Sequence, residues 1–92
     1  MIKDFTHKGL RQFFLSGSTA GINVQQAKRI SLRLAVLNAA VQISDLDLPG
    51  FHLHALKGDR EGIWSITVTG NWRITFEFIN GDAYIVNYED YH

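Results

Sequence analysis

The chain has 92 residues, 46% hydrophobic and 20% charged, with no cysteine and a formal net charge of zero. That length suits one core, so residues 1–92 are expected to form a single domain. The missing cysteines exclude disulfides and thiolate metal sites, and no apolar run approaches the roughly 18 residues of a membrane-spanning helix.

"MIKDFTHKGL" mixes acidic, basic and polar groups and offers no apolar leader, so a cytoplasmic location away from any membrane is expected. Residues 2–5 read as a short edge strand. Thr6 is the expected N-cap of a first helix through "HKGLRQFFL", where Leu10, Phe13 and Phe14 share a face and Ser16 and Gly17 end it. Asn23 stands three residues before Gln26, a capping-box spacing, and opens a second helix expected to reach Gln42. Ile30, Leu34, Leu37 and Val41 form its buried stripe. Lys28, Arg29 and Arg33 crowd its first half, where the positive pole of the helix gives cations no local gain. Either the surface tolerates them or a polyanion uses them.

"SDLDLPG" breaks the pattern, and the period then changes from 3.6 to 2. "FHLHAL", "IWSITVT" and "WRITFEF" alternate as strands, and "NGD" is a hairpin turn that returns the chain into "AYIVNY". Helices followed by at least four strands imply an α+β fold, a small antiparallel β-sheet with two N-terminal helices packed on one face. Parity then sorts the side chains. Trp72, Ile74, Phe76 and Phe78 face the helices, so Arg73, Thr75 and Glu77 face the open side. If Phe51 and Leu53 enter the core, His52 and His54 join Arg73 there.

The zero net charge hides two opposed halves. Residues 1–44 hold six cations (Lys3, Lys8, Arg11, Lys28, Arg29 and Arg33) against Asp4, a balance of +5. Residues 45–92 hold three cations against eight carboxylates, a balance of −5. The basic half suits a polyanion, or serves solubility alone.

His52 and His54 form an H-x-H pair able to grip zinc given a third ligand such as Asp90 or His92, but no Cys or H-E-x-x-H pattern accompanies it. "LKGDREG" lacks the G-x-x-x-x-G-K-[ST] phosphate loop; a polar hairpin turn accounts well for Gly58 and Gly62 and less well for Lys57 ahead of it. RNA cleavage without a cofactor needs a base for the 2′-hydroxyl, an acid for the leaving 5′-oxygen and cations for the phosphate. His54 and His92 are candidates for base and acid, Lys57 and Arg73 for the phosphate, Asp90 for orienting an imidazole, and Tyr91 for stacking or proton donation. This is one arrangement among several.

"LHALKGDREGIWSITVTGNWRITFEFINGDAYIVNYEDYH" resembles the HigB branch of the RelE-like bacterial toxins, and "MIKDFTHKGLRQFF" with the following helix extends the likeness to the whole chain. The resemblance implies a small sheet of the microbial-ribonuclease kind and a ribosome-dependent mRNA endonuclease, the toxin of a type II toxin–antitoxin pair. It implies a reactive set of His54, Asp90, Tyr91 and His92, with Lys57 and Arg73 on the phosphate and Arg60 either there or among the ribosomal contacts. Lys3, Lys8, Arg11, Lys28, Arg29 and Arg33 become candidate contacts to 16S rRNA of the 70S ribosome. No cofactor or metal is implied. The implied partner is a helix-turn-helix, HigA-like antitoxin whose complex with the toxin represses its own operon.

Rival readings predict different products. A toxin of this fold that poisons DNA gyrase, or a non-catalytic module that blocks the ribosome, leaves mRNA intact, whereas a metal hydrolase built on His52 and His54 loses activity to chelators.

Overall fold

The structure, a computed structural model, describes residues 1–91. Two α-helices, α1 (Lys8–Ser16) and α2 (Ala27–Ala39), precede four strands: β1 (His54–Ala55), β2 (Trp64–Thr69), β3 (Trp72–Ile79) and β4 (Asp82–Asp90). The strands form one antiparallel sheet in the order β1-β2-β3-β4. Leu10 of α1 and Ile30, Leu34 and Leu37 of α2 pack with Ile66, Val68, Ile74, Phe76 and Val86 of the sheet, all at most 1% exposed. Each such side chain contributes about 1.5–3 kcal/mol by leaving water, so the period-2 and period-3.6 stripes determine which face the helices cover.

The first helix begins one residue later than expected. Its N-cap is His7, whose Nδ1 accepts the Leu10 N–H at 2.9 Å. Thr6 is unavailable because its own N–H donates to the Val86 carbonyl at 2.9 Å, which keeps it extended alongside β4. Gly17 ends α1 in the left-handed region (φ 79°) and donates to the Phe13 carbonyl at 2.9 Å. Further on, Gly21 crosses the start of α1 so closely that a Cβ there would stand 2.5 Å from the Gly9 Cα.

Asn23 does cap, but through Gln25 N–H (3.1 Å) and onto a single 3-10 turn, Val24–Gln26. Gln26 does not complete a box. It is buried, and its Oε1 accepts the Tyr88 hydroxyl at 2.5 Å. The second helix stops at Ala39, short of Gln42, so Val41 is 77% exposed rather than part of the stripe. The cause is Asp45, whose Oδ2 accepts the N–H groups of Val41 (2.9 Å) and Gln42 (3.2 Å) and draws them into the cap of the next 3-10 turn, Ile43–Leu46.

Residues 2–5 lie parallel to the outer edge of β4 through isolated bridges at Ile2–Ala83 and Phe5–Val86 rather than as a full strand. A bulge in β4 interrupts the ladder there: Thr75 pairs with Asn87 and Glu77 with Tyr84, so Phe76 faces two residues. Ile85 adopts φ 48° in this bulge, and its N–H is taken by the Asp4 carboxylate. The β3–β4 turn is the expected one, with Asn80 (φ 51°) and Gly81 (φ 83°) both left-handed. The expected strand through 51–56 contracts to two residues because His52 turns the chain at φ 47°. Phe51 is nonetheless 3% exposed and Leu53 packs on the core, while His52 and His54 are exposed, the sides expected of them although no strand runs through 51–53.

Candidate active face of the sheet

On the side away from the helices, register aligns two rows. Thr67, Arg73 and Glu89 stand abreast on β2, β3 and β4, beside Ser65, Thr75 and Asn87. Ser65 (1% exposed) and Thr75 (2%) are buried, so the face is only partly open. The β1–β2 connection folds back over it, carrying Arg60 from beyond β2 to Glu89 on β4. Nη1 and Nη2 of Arg60 donate to Oε1 and Oε2 of Glu89 at 2.6 and 2.8 Å. Thr75 Oγ1 (3.0 Å) and Asn87 Nδ2 (3.2 Å) donate to the same Oε2. The Arg60 donation holds the Glu89 carboxyl below its usual range against the opposing effect of burial, and Glu89 in turn raises Arg60.

A depression of about 510 Å3 opens between β1 and the β2–β3 turn, lined by His52, His54, Thr67, Gly70 and Arg73. Arg73 Nη1 donates to Thr67 Oγ1 (2.8 Å) and the Gly70 carbonyl (3.1 Å), and its guanidinium carbon lies 5.9 Å from the Tyr91 ring centre. Tyr91 is held by the sheet: its N–H donates to the Asn71 carbonyl at 2.7 Å, while the residue is 45% exposed. His54 Nδ1 lies 3.0 Å from the His52 carbonyl. A carbonyl only accepts, so Nδ1 carries the proton and, in the neutral ring, Nε2 is the basic nitrogen. Lys57 is exposed at the start of the 3-10 turn Gly58–Arg60.

The site residues foreseen in the sequence therefore separate. His54 and Arg73 share a cavity, with Tyr91 beside Arg73. Asp90 departs from this group: it pairs with Trp72 and lies on the helix side of β4 with Tyr88, whose phenol is pushed up mainly by burial with Asp90 adding to it. The carboxylate that stands beside Arg73 is Glu89, which the sequence reading passed over along with Thr67 and Asn87; Thr75, expected on the open side, is there and donates to it. His92 lies outside the described residues.

Among the candidate ribosomal contacts, Lys3, Lys8, Arg11, Lys28 and Arg29 are exposed. Arg33 is not: it is 4% exposed, and its Nε donates to the Thr67 carbonyl at 2.6 Å. Its Nη groups reach the carbonyls of Arg29 (3.3 Å) and Gly50 (3.4 Å), and its guanidinium carbon lies 4.5 Å from the Phe51 ring centre. Burial lowers its pKa, with Arg29 adding to the effect. A long side chain in the middle of α2 faces the sheet as readily as the solvent, and nothing in local composition distinguishes the two. Arg33 thus braces the backbone at Thr67, which lines the depression, and at Gly50.

A helix-covered antiparallel sheet with a cationic, histidine-bearing open face is the arrangement of a RelE-like toxin of a type II toxin–antitoxin system. The family described as the RelE-like toxin of type II toxin–antitoxin system HigB matches residues 3–92. The chain is also 59% identical over 92 residues, the full length of both, to the Endoribonuclease HigB of Proteus vulgaris. It belongs to the HigB-like toxin family, and as a type II toxin it has an antitoxin partner.

Proposed function

We propose that this toxin is a ribosome-dependent mRNA endonuclease that cuts the messenger in the A site by attack of a 2′-hydroxyl on the adjacent phosphate, with no metal required. The observation that carries the reading is the shared cavity of His54 and Arg73, a base and a fixed guanidinium on one patch, in a chain similar throughout to an endoribonuclease. Nε2 of His54 removes the 2′-hydroxyl proton as the 2′-oxygen bonds to phosphorus. His92 protonates the 5′-oxygen as its bond to phosphorus breaks, leaving a 2′,3′-cyclic phosphate. Arg73 and Lys57 carry the charge of the five-coordinate state. Tyr91, at the rim beside Arg73, stacks on a base. Asp90 orients an imidazole of the reactive set.

The ribosome supplies the alignment of nucleophile and phosphate, much of the barrier to in-line attack, so naked mRNA is cut slowly at physiological salt. The exposed cations of the helical half contact ribosomal RNA. A HigA-like helix-turn-helix antitoxin restrains the toxin and represses the operon. Primer extension on a reporter mRNA after brief induction tests the reading. New in-frame 5′ ends are expected with the intact protein and are lost in His92→Gln and Arg73→Ala. Growth arrest with an intact messenger would overturn the nuclease and direct attention to supercoiling.

A further inference from the structure

We propose that Glu89 is a positioning residue, holding the Arg60 guanidinium so that its free edge meets a phosphate of the RNA strand. The inference rests on the reading of this face as an RNA-cleaving site. A guanidinium carries five N–H donors in one planar fork. Here the carboxylate meets it end-on, one oxygen to each Nη (2.6 and 2.8 Å), which engages the donors between the two Nη groups. The Nε–H and the neighbouring Nη–H form a second, parallel pair with the geometry of a phosphate. Among the described residues no hydrogen bond involves the Arg60 Nε.

Exposure runs in the same sense. The Arg60 side chain is 40% exposed and that of Glu89 21%, so the anion lies behind and the cation in front. Glu89 is itself fixed by Thr75 and Asn87. Three of its four donors converge on Oε2 and the fourth, from Arg60, on Oε1, so the carboxylate is committed to its ionised form by the arginine and serves as an acceptor rather than as the base. An exposed ion pair on a flexible turn would gain little. This one is bidentate, doubly supported, and cross-strand from Arg73, whose guanidinium is likewise aligned by sheet acceptors. Two guanidiniums oriented on one face suit a strand of phosphates.

The test titrates the full chain with a trinucleotide made uncleavable by 2′-O-methyl groups and follows the Arg60 Nε–H resonance. The wild-type signal should shift and saturate. Glu89→Gln should weaken binding about tenfold, Arg60→Ala should match it, and the double variant should be no weaker than either. Arg60→Lys, which keeps the charge and the fold but lacks the second edge, should also bind weakly. The reversed pair, Arg60→Glu with Glu89→Arg, should regain thermal stability without regaining affinity. On programmed ribosomes Glu89→Gln should raise KM about tenfold with kcat within about twofold. Unchanged binding in folded Glu89→Gln would overturn the proposal, as would recovery of affinity by the reversed pair, which would show a mere strap. A wild type that shifts at Arg60 yet cuts no messenger would defeat the endonuclease reading and leave the positioning intact. Cutting without the Arg60 shift would do the reverse.

Discussion

A buried guanidinium is costly unless its donors are met, and Arg33 meets its own on the carbonyls of Thr67, Arg29 and Gly50. Those carbonyls belong to β2, α2 and the turn before β1, so one side chain ties three separate segments under the candidate active face. Arg33→Ala removes charge-assisted bonds and strands the carbonyls, for an expected loss of about 3 kcal/mol. Arg33→Lys recovers only part of that, because an ammonium cannot reach three divergent acceptors. Urea unfolding of both variants measures it. A residue that served only as an exposed RNA contact would leave the midpoint unmoved in either.

At the scale of elements, the β4 bulge decides the chemistry of the site. Tyr84 pairs with Glu77 on the open side. Continued without interruption, period 2 would turn Asp90 to that side and Glu89 and Tyr91 to the helices. The extra residue at Ile85 inverts the parity, and Glu89 and Tyr91 emerge beside Arg73 instead. This explains what the sequence could and could not disclose. The helices, the alternation of β2 and β3 and the Asn80–Gly81 turn follow from local periodicity and turn chemistry, and are legible. A bulge leaves no local signature, because "YIVNY" alternates acceptably in either register. The Asp4 carboxylate that fixes Ile85 N–H lies 81 positions away. His54 and Arg73 were legible because they precede the inversion, whereas Glu89 was not. Asp4→Ala frees the bulged N–H, and we expect a loss of about 1 kcal/mol with broadened amide signals from Ile85 to Tyr91. Sharp, unshifted signals there would show that the bulge persists without Asp4.

For the molecule as a whole, the carboxylates of the acidic half serve as ties as much as surface charge. Glu89 binds the β1–β2 connection to β4, Asp45 ends α2, and Asp82 lies 3.4 Å from the Met1 ammonium. Glu89 is held below its ordinary pKa first by the Arg60 donation, with Thr75 and Asn87 adding to it, and Asp45 first by the Val41 N–H and then by that of Gln42. A carboxyl whose folded pKa is depressed stabilises the fold fully above its unfolded value, about 4. That contribution disappears as pH falls through the lower folded value. The thermal midpoint should therefore be nearly level from about pH 7 to 5 and drop steeply below about pH 4. Glu89→Gln and Asp45→Asn should each start lower at neutral pH and fall less steeply, since neither amide loses a charge on acidification. Circular dichroism melts across that range test this directly. A variant that falls as steeply as the parent would show that its carboxylate holds nothing in solution. Because the Glu89 tie and the proposed phosphate edge of Arg60 share one ion pair, the acid limb of RNA binding should follow the acid limb of stability.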